Sequence, residues 1–381
     1  MDDAIRPFRI DIPAAELDDL RDRLARTRWP DQLPDVGWDY GIALDDVREL
    51  ASYWRTGYDW RVHEARLNGF EQFTTVIDGQ AVHFLHVRST VPGALPLIMT
   101  HGWPGSVVEF MEIIGPLTDP GAHGGDPGDA FDLVVPSIPG FGFSGPTRSP
   151  GWNVSRVARA WGELMRRLGY QRYGAQGGDW GSGISRELGV LFPEHLIGVH
   201  LNTLSPYVAA GSEPADLSEQ DRSRIERLRV FRRTGSGYGA IQATRPQTVG
   251  YGLTDSPAGQ LAWIAEKFGE WTDGGLGAVD RDQLLTNISV YWLTRTAGSS
   301  ARLYYEAARS GSLGAPAPST VPTGVAVFPA EIAPPVRPIA ELTNNIVHWS
   351  EFDRGGHFAA MEEPGVLIED VQEFFRRFRS G

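Results

Sequence analysis

Gln176-Gly177-Gly178-Asp179-Trp180-Gly181-Ser182 decides the reading of this chain. Before it, Arg172-Tyr173-Gly174-Ala175 reads as a short buried strand, and after it Gly183 to Phe192 reads as a helix. A strand, a sharp turn with glycines two before and two after one reactive side chain, and then a helix make a nucleophile elbow. The glycines are needed because the backbone packs too tightly there for side chains. The central residue is Asp179, and a carboxylate can attack an electrophilic carbon directly, leaving an ester for water to cleave. The competing reading is a glycine-rich turn with a helix-capping aspartate. The rest of the chain has to decide between them.

The composition sets the frame. A chain of 381 residues can hold one large domain with insertions, or two domains. Its 41% hydrophobic and 22% charged residues are ordinary for a globular protein. A net charge of −13 argues against a nucleic-acid surface or an anionic membrane as partner. With no cysteine, disulfides, thiolate metal sites and cysteine nucleophiles are all excluded. The amino terminus carries no apolar signal core, and no run of about eighteen apolar residues occurs, so a soluble cytoplasmic protein is expected. Twelve tryptophans point to thick aromatic packing or to a pocket for apolar ligands.

Taken in order, residues 1–70 read as a helical, aromatic, arginine-rich arm packed on a larger body. It holds an alternating strand at 8–12, a helix through Leu17, Leu20 and Leu24, and a second helix from about Leu44 to Tyr58. Residues 72–77 and 81–87 form a β-hairpin turning at Asp78-Gly79. Apolar strands follow at 96–100 and 131–136, with a helix from about Ser106 to Leu117 between them. A further helix at 154–168 leads into the strand at Tyr173. Strands at 196–201, 324–328 and 345–349 and a final helix at 364–379 complete the pattern. A hairpin followed by βαβ repeats predicts an α/β fold whose mostly parallel, eight-stranded sheet is covered on both faces. The core spans 71–203 and 321–381. The 204–320 stretch is too long for one crossover and reads as an inserted helical lid.

Three further stretches could carry chemistry. His357, in Arg354-Gly355-Gly356-His357-Phe358, follows the last expected strand, and catalytic groups gather at the carboxyl ends of parallel strands. From there it could deprotonate a water that attacks an aspartyl ester. Such a base needs a carboxylate to orient its ring. Glu331, just after the preceding strand, is the leading choice and Asp353 the second. Glu362 and Glu363 are assigned to the start of the last helix. His101-Gly102-Trp103-Pro104-Gly105-Ser106 can offer the Trp103 amide to an oxyanion, alongside that of Trp180, although it also reads as a plain loop capped at Ser106. His83 and His86, in a strand, are assigned nothing.

HGWPGS at 101–106, GGDWGS at 177–182 and RGGHFAAMEEP at 354–364, with TRWP closing the arm at 27–30, resemble the α/β-hydrolase epoxide hydrolases. The nearest branch is the microsomal type with its amino-terminal arm. The animal members' membrane anchor is missing, so the resemblance implies a soluble relative. It covers nearly the whole chain and implies an α/β-hydrolase fold, an epoxide and water as substrates, and no metal or organic cofactor. It also implies two lid tyrosines that hold the epoxide oxygen, at Tyr238 and Tyr304, with Tyr305 as a one-residue alternative. A neutral phenol can donate a hydrogen bond to a developing alkoxide. The family also has its relay acid at the position of Glu331. The expected activity is therefore conversion of a bulky apolar or aromatic epoxide to a vicinal diol. A homodimer is a fair expectation.

The nearest alternative is a haloalkane dehalogenase, which shares the aspartate elbow but needs N–H donors for its halide. A catalytically silent binding protein on the same fold is a second. A serine esterase using Ser182 is a third, and Ser182 lies three residues past the elbow centre.

Overall fold

The computed structural model describes residues 3–207, 214, 216–312 and 314–379. Among the described residues nine strands form one sheet: β1 (Arg6–Phe8), β2 (Gln72–Ile77), β3 (Gln80–Val87), β4 (Leu95–Thr100), β5 (Phe131–Pro136), β6 (Tyr173–Gly177), β7 (Leu196–Leu201), β8 (Ser319–Val327) and β9 (Asn344–Glu351). Their order is β1-β2-β3-β5-β4-β6-β7-β8-β9. The first three and β5 pair antiparallel, and every pair from β5 to β9 is parallel. The central strands carry apolar or small residues almost throughout, as a sheet covered on both faces requires.

The expectation of eight strands is corrected to nine, because the arm contributes Arg6–Phe8 to the edge beside β2. The alternating stretch at 8–12 is not the strand. Its backbone is satisfied by side chains instead: Ile10 N–H donates to Asn68 Oδ1 at 2.9 Å, and Ile12 N–H to Glu64 Oε1 at 2.8 Å. Side-chain partners thus take the place of a ladder.

The helices are α1 (Ala14–Ala25), α2 (Leu44–Thr56), α3 (Trp60–Leu67), α4 (Met111–Thr118), α5 (Val154–Arg167), α6 (Asp179–Leu191), α7 (Glu219–Thr234), α8 (Gly237–Thr244), α9 (Pro246–Asp255), α10 (Pro257–Trp271), α11 (Arg281–Thr294), α12 (Ala297–Ser300), α13 (Arg302–Ser310), α14 (Arg337–Ala340), α15 (Ala359–Glu362) and α16 (Pro364–Arg376). Helix α3 was not anticipated, and the helix expected from Ser106 begins as a 3-10 turn at Val107–Phe110. Helix α5 packs on α6 and α4 on α16. Phe374 and Phe375 of α16 press into a trough made by Gly174, Gly198 and Gly324. A Cβ at any of these would come within 3 Å of a ring. Helices α7 to α13 all lie between β7 and β8. Among the described residues no helix is long and apolar enough to cross a membrane.

The register fixes where the site must be. Thr100 pairs with Gly177, Gly177 with Leu201, and Leu201 with Val325, so the loops leaving these strands emerge along one edge of the sheet. Val327 pairs with Glu351 at the same end. The turns bearing Trp103, Asp179, Glu331 and His357 all begin there.

Candidate active site

Asp179 is the first residue of α6 and holds φ +49°. That left-handed conformation is unfavourable for a side chain with a Cβ, and it is what turns the chain sharply from strand to helix. Close contact enforces it. A Cβ on Gly181 would lie 1.8 Å from the Thr100 carbonyl oxygen, and one on Gly177 would lie 2.3 Å from the Gly181 backbone. On the far side, a Cβ on Gly102 would come 2.3 Å from Asp179 Oδ1. With that space empty, the Trp103 amide donates to Oδ1 at 2.7 Å. Among the described residues Trp180 N–H makes no hydrogen bond to the resting carboxylate. A donor for an oxyanion has to reach the oxygen of the tetrahedral intermediate rather than that of the ground state.

The other carboxylate oxygen, Oδ2, lies 3.5 Å from His357 Nε2. His357 Nδ1 faces Glu331, 3.0 Å from each carboxylate oxygen. Glu331 is fully buried and also accepts from Thr203 Oγ1 at 2.8 Å and from the Ala333 amide at 3.1 Å. Burial alone would raise its pKa, but the His357 charge and these donors hold it below the usual carboxylate range. For His357, burial favours the neutral ring. The Glu331 and Asp179 carboxylates outweigh burial and hold the imidazole well above its ordinary pKa. Asp353, the second candidate acid, is exposed and makes no bond to His357.

The His357 loop is fastened from the inserted helices. His357 N–H donates to the Trp271 carbonyl at 2.9 Å, and Gly355 N–H to Asp273 Oδ2 at 2.9 Å. Glu362 has a different job from the helix-start role expected of it. Its carboxylate accepts the Phe358 and Asp273 amides at 2.9 and 2.7 Å and so clamps the loop. Glu363 pairs with Arg354. The Trp103 turn is held the same way by α11: Asn287 Nδ2 donates to the Pro104 carbonyl at 2.7 Å, and the Tyr291 hydroxyl to the Gly105 carbonyl at 2.6 Å.

Tyr238, the second residue of α8, lies parallel to the Trp103 indole with centroids 4.9 Å apart. Tyr304 of α13 meets Trp103 and Trp180 edge-on at 5.7 and 4.7 Å, and the two tyrosine rings are 6.0 Å apart. Tyr305 points elsewhere, under the Arg309 guanidinium at 3.5 Å, so Tyr304 is the one turned to the cluster. Burial first, then the Asp179 charge, raises the Tyr238 pKa, and burial does the same for Tyr304. Both phenols keep their protons at neutral pH.

Ser182 donates to the Gly177 and Thr203 carbonyls from a buried position, which removes it as a nucleophile. His83 is satisfied by Ser137 and Gln72, each at 2.9 Å, and burial lowers its pKa to about 3. Thr203, Ala333, Asn287, Tyr291 and Glu362 were not singled out for these contacts from the sequence. Each acts through a fold contact distant in sequence or through a backbone amide, and neither leaves a motif.

The family described as "Epoxide hydrolase N terminus" matches residues 5–110, and "alpha/beta hydrolase fold" matches residues 96–228. A protein of Stigmatella aurantiaca named for epoxide hydrolysis is 49% identical over 99% of this chain and 86% of its own length. Epoxide hydrolase 1 of Sus scrofa is 39% identical over 98% of this chain and 89% of its own. The crystal structure of juvenile hormone epoxide hydrolase from Bombyx mori superposes with a TM-score of 0.92, at 34% identity, covering 99% of this chain and 95% of that one. These comparisons do not favour the haloalkane dehalogenase reading. By sequence along its whole length and by fold, the chain belongs to the epoxide hydrolase family of α/β-hydrolases.

Proposed function

We propose that this epoxide hydrolase opens its substrate in two covalent steps. The observation that carries the reading is the Asp179 carboxylate held between the Trp103 amide and the His357–Glu331 pair. Oδ2, the oxygen not bound by Trp103, attacks one ring carbon of the epoxide. The opposing C–O bond breaks, and its electron pair goes to the ring oxygen. Tyr238 and Tyr304, as neutral phenols, donate to that oxygen and supply its proton. The product of this step is an alkyl ester of Asp179.

Alkylation removes the Asp179 charge, which is one of the two charges holding the proton on His357. That proton passes to the phenolate left by the first step, and the neutral imidazole then takes a proton from water while Glu331 steadies it. The water attacks the ester carbonyl carbon and the Trp103 and Trp180 amides carry the negative oxygen; as the Cγ–Oδ2 bond then breaks, the departing alkoxide takes the proton from His357 and leaves as the diol, and the new carboxyl group returns a proton to His357. Helices α7 to α13 act as the lid, within residues 204–320. The rings of Trp103, Trp180, Trp271, Tyr238 and Tyr304 around the carboxylate favour a bulky apolar or aromatic epoxide. His357→Gln should form the ester but not cleave it. Intact-mass and peptide mass spectrometry after mixing with styrene oxide should find the adduct on Asp179, and no adduct there would defeat the covalent reading.

A further inference from the structure

Lys267 is the sole lysine among the 35 lysines and arginines of this chain. It sits on α10 and is 3% exposed, a position lysine almost never takes without partners. Two carboxylates from the same helix accompany it: Glu266 in direct contact and Glu270 at 3.8 Å. Its ammonium lies over the ring of Tyr238, 4.8 Å from the centroid, and 5.8 Å from the Trp271 centroid. Trp271 in turn packs edge-on against His357 at 5.0 Å and accepts its amide. An ion pair whose ammonium is buried while its carboxylates reach solvent is weak as a stabilising device, so the arrangement needs another reason.

The reason lies in what Tyr238 has to do. The part Lys267 plays depends on Tyr238 being the proton donor to the epoxide oxygen, as proposed above. As the C–O bond breaks, the phenol oxygen gives up its proton and gains negative charge. Burial opposes that change most, followed by the charge of Asp179, with Glu331 and Glu270 behind it. Without Lys267, the Glu270 charge that bears on the phenol would stand uncompensated, and Glu266 would lose its partner. A compact ammonium fits between two carboxylates and a ring face, where the broad, planar guanidinium of arginine would spread its charge.

We propose that Lys267 is a positioning residue for the alkylation step. Its ammonium holds the Tyr238 ring in place and cancels the Glu270 charge that would otherwise resist proton donation to the opening epoxide. Ester hydrolysis, in which Tyr238 donates nothing, does not depend on it.

The test follows ester formation and ester breakdown separately, in single turnovers of the full chain with styrene oxide, quenched and counted by mass spectrometry. Lys267→Met is expected to slow ester formation about tenfold and to leave breakdown unchanged. Adding Glu270→Gln to that variant should restore most of the loss. Packing alone would give a loss with no recovery in the double variant, and that outcome overturns the proposal, as does no loss at all. Should Lys267→Met fail to fold, Glu270→Gln alone decides. It is expected to accelerate ester formation, and an unchanged or slower rate overturns the proposal. Tyr238→Phe in the same assay separates the role of Tyr238 from that of Lys267. If it leaves ester formation untouched, Tyr238 is no donor and the underlying reading falls. If it slows ester formation while Lys267→Met does not, only the role of Lys267 falls.

Discussion

At the scale of single residues, the site depends on side chains that are missing as much as on those present. Asp179 keeps its left-handed backbone because Gly177 and Gly181 let strand and helix close on each other. Its carboxylate reaches the Trp103 amide because Gly102 leaves the space empty. Gly102→Ala would place a Cβ 2.3 Å from both Asp179 Cβ and Oδ1, so the turn as well as the carboxylate has to shift. The carboxylate should be pushed off the Trp103 amide. The expected result is a kcat lower by about a hundredfold together with a lowered melting temperature, read by diol production and thermal unfolding. Activity at the parent level would contradict this account.

Asp179 and His357 were legible in the sequence because a nucleophile elbow and a glycine-hinged histidine loop each have a local signature. Glu331, the partner of His357, was legible less directly, as a position after a strand. Thr203 and Ala333, which complete Glu331's hydrogen bonds, were not legible, because one acts across 128 residues and the other through its amide. The choice between Tyr304 and Tyr305 required the helix phase of α13, which short motifs do not carry.

At the scale of elements, α16 is tied to the sheet by a buried carboxylate. Asp370 accepts from His200 of β7 at 2.8 Å and from His348 of β9 at 2.7 Å, with Ser350 donating to the same oxygen as His348. These two strands flank β8, so the contact spans three neighbouring strands. Burial would raise the Asp370 pKa, but the hydrogen bonds from His200 and His348 outweigh it and leave it depressed. A depressed carboxyl pKa stabilises the fold above the unfolded value of about 3.9 and loses that contribution as the pH falls toward the folded value. Asp370→Asn should cost about 3 kcal/mol near pH 6, because it leaves two buried histidines without their anion. In urea unfolding, the gap to the parent should narrow below about pH 4. A gap that grows in acid would contradict this account. The strand and helix order was readable from hydrophobic periodicity. The edge strand Arg6–Phe8 was not, because it is three residues long and its neighbouring stretch alternates more clearly but pairs with Asn68 and Glu64.

At the scale of the molecule, arm, sheet and inserted helices interlock. The arm joins the sheet through β1 and the insertion through α2 and the segment after it. Tyr53 donates to Asp282 at 2.8 Å, Trp54 to Ser289 at 2.9 Å, and Tyr58 shares a bond with Thr286 at 3.0 Å. All three partners lie on α11, the helix that also holds the Trp103 turn through Asn287 and Tyr291. The arm is thus mechanically continuous with one wall of the site. A cavity of about 870 Å³ lies between arm and insertion, yet none of the proposed catalytic residues lines it, so the chemistry is located by the converging side chains and not by open volume. The tryptophans divide accordingly. Trp54 and Trp161 are packing, whereas Trp103, Trp180 and Trp271 pack with Tyr238, Tyr304 and His357 in one ring cluster.

All of these contacts serve one claim, that Asp179 becomes covalently bound to the substrate. In that mechanism the oxygen delivered to the diol comes from the carboxylate, and the oxygen of water replaces it on Asp179. A single turnover with enzyme in excess over styrene oxide, run in ¹⁸O-water, tests this most directly. The account predicts an unlabelled diol and one ¹⁸O in the peptide bearing Asp179. A labelled diol with an unlabelled Asp179 would mean that water attacks the epoxide itself, and would contradict it.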